Sequence, residues 1–183
     1  MKKVFIIHGF EGSPNGGWRS WLMEELSKHN IYACALSMPK PDEPILSEWL
    51  EEIDRHVKIN LNDDIYLIGH SLGSTTILRY IEKNNCENIK GIILVSGPCN
   101  INDNKKIDEF LKEKFNWSLI KNKISQVIVI HGDNNPFVPV SDAQEIAKKL
   151  NGELMLISNG QHLNGSAGFT ELPQLLSALL KII

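Results

Sequence analysis

Cysteine is scarce in this chain of 183 residues, which holds only Cys34, Cys86 and Cys99. An odd number at wide spacing excludes a disulfide framework and the paired-cysteine pattern of a zinc site. Without a secretion signal, three free thiols fit a reducing, cytoplasmic compartment. No apolar run approaches the roughly 20 residues that a membrane span needs. Met1-Lys2-Lys3 before Val4-Phe5-Ile6-Ile7 starts as a signal peptide would, but it is too short and ends in His8-Gly9; it reads as a first strand. Positive charge is also thin. Lysine and arginine number 19 against 22 acidic residues, a net charge of −3, and no segment gathers basic residues, so neither nucleic acid nor a membrane surface is an expected partner. The six histidines form no H-E-x-x-H or other tight pair, and no metal or organic cofactor is expected.

The remainder is ordinary for a globular chain: 42% hydrophobic and 22% charged residues, a balance and length that suit one domain, 1–183, with its own core. Short runs of Ile, Val and Leu with little polar alternation lie at 3–7, 31–36, 64–68, 91–95, 126–130 and Glu153–Ile157. Such runs mark strands covered on both faces. Helical spacing fills the intervals at 18–29, 47–60, Leu72–Lys83 and 141–150, with a last helix at about 171–181. The alternation predicts a parallel sheet with right-handed crossovers. One connection is long. Residues 99–125 carry a helical pattern at 107–113 and then Phe115 and Trp117. An excursion at the carboxyl edge of a sheet is often a cover, and it is expected to form a small cap, with Phe115 and Trp117 as pocket walls or as fasteners to the core.

The chemistry is concentrated in Gly69-His70-Ser71-Leu72-Gly73, which follows the third strand and opens the third helix. G-x-S-x-G at a strand-to-helix turn is a nucleophile elbow. Its glycines clear the neighbouring backbone, and the turn lifts the serine hydroxyl to a helix N-terminus, where free N–H groups favour a negative oxygen. A serine hydroxyl needs a base within hydrogen-bond reach. In this motif's chain order the histidine comes last, and His162 leaves the final strand at the same carboxyl edge as Ser71. An oxyanion hole needs two aimed N–H groups. Leu72, which follows the nucleophile, supplies one, and Phe10, in the glycine-rich loop after the first strand, supplies the other. That loop lacks the phosphate-binding patterns G-x-G-x-x-G and G-K-[ST].

With His131-Gly132-Asp133-Asn134-Asn135-Pro136-Phe137-Val138-Pro139 the chain resembles the α/β-hydrolase superfamily. In particular it looks like the small single-domain serine hydrolases of the YdeN and retinoblastoma-binding-protein-nine type. The likeness covers nearly the whole chain. It rests also on His8-Gly9, Trp18 and Trp21, Ser37-Met38-Pro39-Lys40-Pro41, Glu48-Trp49-Leu50, Leu94-Val95-Ser96-Gly97 and Ala178-Leu179-Leu180-Lys181. It implies a three-layer fold with a mostly parallel six-stranded sheet, order 2-1-3-4-5-6, and helices on both faces. The pocket would include Phe137.

The same resemblance places the catalytic aspartate immediately before the P-x-V-P-like loop, and here that residue is Asn135. Three assignments stay open: Asp133 as the acid, favoured as the nearest carboxylate in the chain; Asp103, after the fourth strand; or Asn135 as a neutral orienter in a weak or inactive site. The reading is a serine hydrolase that cleaves a small-molecule ester, thioester or amide through a Ser71 acyl-enzyme with His162 as base. Its rival is a binding protein on a hydrolase scaffold.

Overall fold

The computed structural model describes residues 1–85 and 87–183, so Cys86 lies outside the described residues. The elements, in chain order, are β1 (Lys2–Ile7), α1 (Arg19–Lys28), β2 (Tyr32–Ala35), α2 (Leu46–Ile59), β3 (Asp64–His70), α3 (Leu72–Lys83) and β4 (Ile89–Val95). Then follow α4 (Asp108–Leu111), α5 (Trp117–Lys123), β5 (Gln126–Gly132), α6 (Val140–Leu150), β6 (Glu153–Ile157) and α7 (Pro173–Ile182). The six strands form one sheet in the order β2-β1-β3-β4-β5-β6, as expected. Every neighbouring pair is parallel.

The runs of Ile, Val and Leu are continuous because each strand feeds two cores. Phe5 and Ile7 of β1, Leu67 of β3 and Leu94 of β4 point to one face, where they meet Trp49, Leu72, Ile77 and Ile146 from α2, α3 and α6. Val4, Ile6, Ile68 and Val95 point to the other, against Trp18, Leu22 and Leu26 at α1 and Leu175 and Leu179 of α7. The strands thus sit between two helical layers, and their carboxyl ends, with the loops that leave them, form one rim.

The departures from expectation have local causes. β2 is an edge strand of four residues, with Tyr32 exposed. The last helix begins at Pro173, whose ring fixes φ and disfavours helical backbone at Leu172 before it. Within residues 99–125 the helical pattern at 107–113 forms the shorter α4, and α5 follows it. Cys34 and Cys99 are free thiols. Among the described residues no helix is long and apolar enough to cross a membrane.

Candidate active site

The turn from β3 to α3 is built as the motif requires. Ser71 caps α3 with φ 53° and ψ −121°, a left-handed region that costs a non-glycine residue roughly 1–3 kcal/mol and is held only when the surroundings impose it. Here its N–H donates to Val95 O at 2.8 Å, and Ser74 Oγ donates back to Gly69 O at 2.8 Å. A Cβ on Gly69 would run into the backbone of Ser74, and one on Gly73 into the carbonyl oxygen of Ile7. Both glycines are therefore demanded by close backbone approach.

The loop after β1 lies directly against the serine, since a Cβ on Gly9 would stand 2.8 Å from Ser71 Cβ and 3.4 Å from its Oγ. His8 holds this loop. Its Nε2 accepts from Met38 N–H at 3.2 Å and its Nδ1 donates to Gly9 O at 2.8 Å. Burial pushes the His8 pKa down, so the ring stays neutral in this tautomer. Among the described residues, neither Phe10 N–H nor Leu72 N–H donates to a protein acceptor. These are the two groups expected to form the oxyanion hole.

His162 arrives on a loop with three residues at positive φ: Asn159 at 54°, Gln161 at 46° and Leu163 at 52°. That backbone is tied down at four points. Asp133 Oδ1 accepts from Asn159 N–H at 2.8 Å and Asn134 Oδ1 from Gln161 N–H at 2.7 Å. His70 Nε2 donates to His162 O at 3.0 Å, and Trp18 Nε1 donates to Leu163 O at 2.9 Å. The His70 and His162 rings are 5.0 Å apart, edge to face. The imidazole therefore stands over the residue that precedes the nucleophile, on the same rim.

His162 Nδ1 lies 3.1 Å from Asn135 Oδ1. The amide oxygen is identified by its other partners, Phe137 N–H at 3.0 Å and Val138 N–H at 3.1 Å, both of which can only donate. Nδ1 must then carry the ring proton, which leaves Nε2 with a lone pair. The edge of Phe137 covers the ring at 5.1 Å while remaining 65% exposed itself. Burial, and secondarily His131, lowers the His162 pKa to about 4. Deeper burial, then the proximity of His162, lowers that of His70 to about 3.

The preference for Asp133 as the acid is corrected by this geometry. Its carboxylate is exposed and turned to Asn159 N–H, so it holds the histidine loop rather than the imidazole. Asp103 is exposed in the excursion, ahead of α4. Of the two roles open to Phe115 and Trp117, pocket wall or fastener, the contacts favour the fastener. Phe115 stacks under the Arg79 guanidinium at 3.7 Å and against Trp117 at 4.9 Å. Arg79 also donates to the carbonyls of Phe110 and Glu113. Arg79 lies two turns along α3 from Ser71, roughly 12 Å away at 1.5 Å per residue, so these aromatics fasten the excursion to the flank of α3. Sequence reasoning missed the anchoring by His70, Trp18 and Asn134. Only His70 carried a signal, its place inside the elbow.

The strained serine, the histidine held over the same rim and the parallel sheet beneath them define the α/β-hydrolase fold with a serine elbow. The chain belongs to the Serine hydrolase family, whose model matches residues 4–181. It is 33% identical over 174 residues to YdeN of Bacillus subtilis (strain 168), covering 94% of this chain and 91% of YdeN. It is 25% identical over 183 residues to the serine hydrolase RBBP9 of Rattus norvegicus, covering 97% and 95% of the two chains. The crystal structure of the B. subtilis ydeN product superposes with a TM-score of 0.93 at 31% identity, covering 100% of this chain and 98% of that one. Est1E from Butyrivibrio proteoclasticus with bound ferulic acid shares the fold at TM-score 0.78 and 18% identity, with 100% and 89% coverage.

Proposed function

We propose that the protein is an esterase-like serine hydrolase acting on a small-molecule ester, thioester or amide through a covalent acyl-enzyme. The observation that carries this reading is a strained Ser71 on the same rim as an imidazole whose Nδ1–H is committed to Asn135, which leaves Nε2 as the ring nitrogen with a lone pair for a hydroxyl proton. Ser71 Oγ attacks the acyl carbon as His162 Nε2 takes its proton. Phe10 and Leu72 N–H groups bind the oxyanion, and the leaving group departs with the proton from Nε2. Water, deprotonated by the same nitrogen, then attacks the acyl ester and restores Ser71. Asn135 orients the ring but brings no charge to the imidazolium. The exposed Phe137 ring beside His162 offers an apolar wall for the acyl group. A cytoplasmic setting is supported by the free thiols of Cys34 and Cys99.

Asn135 also favours a second reading, a weakly active or inactive protein that binds a ligand on this scaffold. A fluorophosphonate probe separates the two. Labelling of the wild type that disappears in Ser71→Ala and His162→Ala supports the enzyme. A folded wild type that takes no label supports the binding protein.

A further inference from the structure

Three side-chain atoms near the site are buried and have no protein hydrogen-bond partner among the described residues: Ser96 Oγ, His131 Nδ1 and Asn135 Nδ2. Ser96 and His131 are both 0% exposed. Burying an unmatched polar atom costs roughly 1–3 kcal/mol, and native proteins satisfy most of them, often with internal water. Three at one rim call for a common partner.

The backbone brings them together. Ser96 leaves β4 with φ 51°, and its N–H donates to Ile130 O at 2.9 Å, which sets it beside His131 on β5. His131 and Asn135 then grip opposite ends of one residue: His131 Nε2 lies 3.0 Å from Val138 O, and Asn135 Oδ1 lies 3.1 Å from Val138 N. Their roles are complementary. A carbonyl only accepts, so His131 Nε2 carries the ring proton and Nδ1 is an acceptor. Asn135 Nδ2 is a donor, and a hydroxyl is both.

We infer that Ser96 and His131 are positioning residues, joined to Asn135 Nδ2 by a buried water, that hold the amide with its oxygen on His162. The inference rests on the catalytic reading above. A donor bond from Nδ2 pulls electron density toward Oδ1 and strengthens the bond that Oδ1 accepts, the cooperativity expected of linked hydrogen bonds. It also blocks the amide flip that would turn a donor toward His162 Nδ1–H. The chain Ser96/His131–water–Asn135–His162 thus supplies orientation, and some polarisation, where a carboxylate would supply charge.

The test has two arms. In a high-resolution crystal structure of the wild type, a water within hydrogen-bond distance of at least two of the three atoms is expected; a dry site overturns the inference. In kinetics, Ser96→Ala removes one arm. His131→Gln keeps an amide donor for Val138 O but loses the Nδ1 acceptor. Each variant, with folding checked by thermal melting, should lower kcat about five- to tenfold and leave KM unchanged, the loss expected for one hydrogen bond of modest net strength. The double variant should be no worse than about tenfold, because both substitutions break one chain. Losses that multiply, a change confined to KM, or an unchanged kcat overturn it. Should His131→Gln not fold, Ser96→Ala and the water decide alone. A wild type that takes no fluorophosphonate label defeats the catalytic reading instead, and leaves the water's presence a separate result.

Discussion

His162 Nδ1 and Asn135 Oδ1 meet at 3.1 Å, and the same oxygen also accepts from Phe137 and Val138 N–H. Three donors on one oxygen make a cradle suited to a carboxylate, yet an uncharged amide occupies it. The histidine is therefore held in the right tautomer without an anion to stabilise its protonated form.

Asn135→Asp should supply that charge while Oδ1 keeps the three donors that face it, at the loss of the Nδ2 donor. In a serine enzyme of another fold the reverse exchange costs about ten-thousand-fold in kcat. Here kcat should rise at least about tenfold, and the His162 pKa should climb from about 4, because an adjacent anion favours the imidazolium. Ester turnover and an NMR titration of the ring check both. An unchanged kcat would mean that charge does not limit this site.

Asp133→Asn keeps an acceptor for Asn159 N–H and removes only the charge. Turnover should stay within about twofold of wild type. A collapse would make Asp133 the acid after all, by a movement of the loop that this geometry does not contain.

The fold was legible because the two-sided burial of the strands writes apolar runs into the sequence, and the elbow was legible because two backbone collisions demand glycine at 69 and 73. The orienting partner of His162 was legible only as one of three candidates, Asp133, Asp103 and Asn135. Asp133, Asn134 and Asn135 are consecutive polar residues, and each accepts from a different backbone N–H. Which one faces the imidazole is decided by the turn that folds Phe137 and Val138 back onto Asn135, not by residue type. Phe115 and Trp117 could be read as walls or as fasteners for a similar reason, since the two roles have the same composition, and the guanidinium of Arg79 over Phe115 distinguishes them.

The base should remain neutral far into acid. With His162 titrating at about 4 through burial, kcat/KM should hold level below pH 6 and fall only near pH 4. Phe137→Ala uncovers the ring and lets in water, so the acid limb should move up toward the ordinary histidine value near 6.5. Stability should change by no more than about 0.5 kcal/mol, because Phe137 is itself largely exposed. A limb that stays in place would show that Phe137 does not shield the base.

Stability should show the same histidines with a definite sign. The folded-state pKa of His70 is lowered from 6.5 to about 3, so the unfolded chain takes up the proton first as pH falls. The contribution is full above about pH 6.5, is lost progressively below it, and levels off near pH 3, with a slope of about 1.4 kcal/mol per pH unit for one such group. His70→Gln retains an N–H donor for His162 O and removes the titration. Its melting temperature should fall less steeply than that of the wild type between pH 6 and pH 4.5, and parallel curves would refute the assignment.

Gly9→Ala tests the oxyanion loop. The added methyl would stand 2.8 Å from Ser71 Cβ and 3.1 Å from His70 O, closer than carbon contacts allow. Ser71 is pinned by the bond from its N–H to Val95 O and by the elbow around it, so the loop after β1 must retreat and carry Phe10 N–H with it. Loss of one oxyanion donor costs about a hundred- to a thousandfold in kcat, and that range is the expectation here, with KM little changed. His8 keeps its Nε2 bond to Met38 N–H at 3.2 Å, so the melting temperature should drop by only a few degrees. Full activity in Gly9→Ala would mean that the second donor does not come from this loop, and the hole would have to be sought elsewhere on the rim.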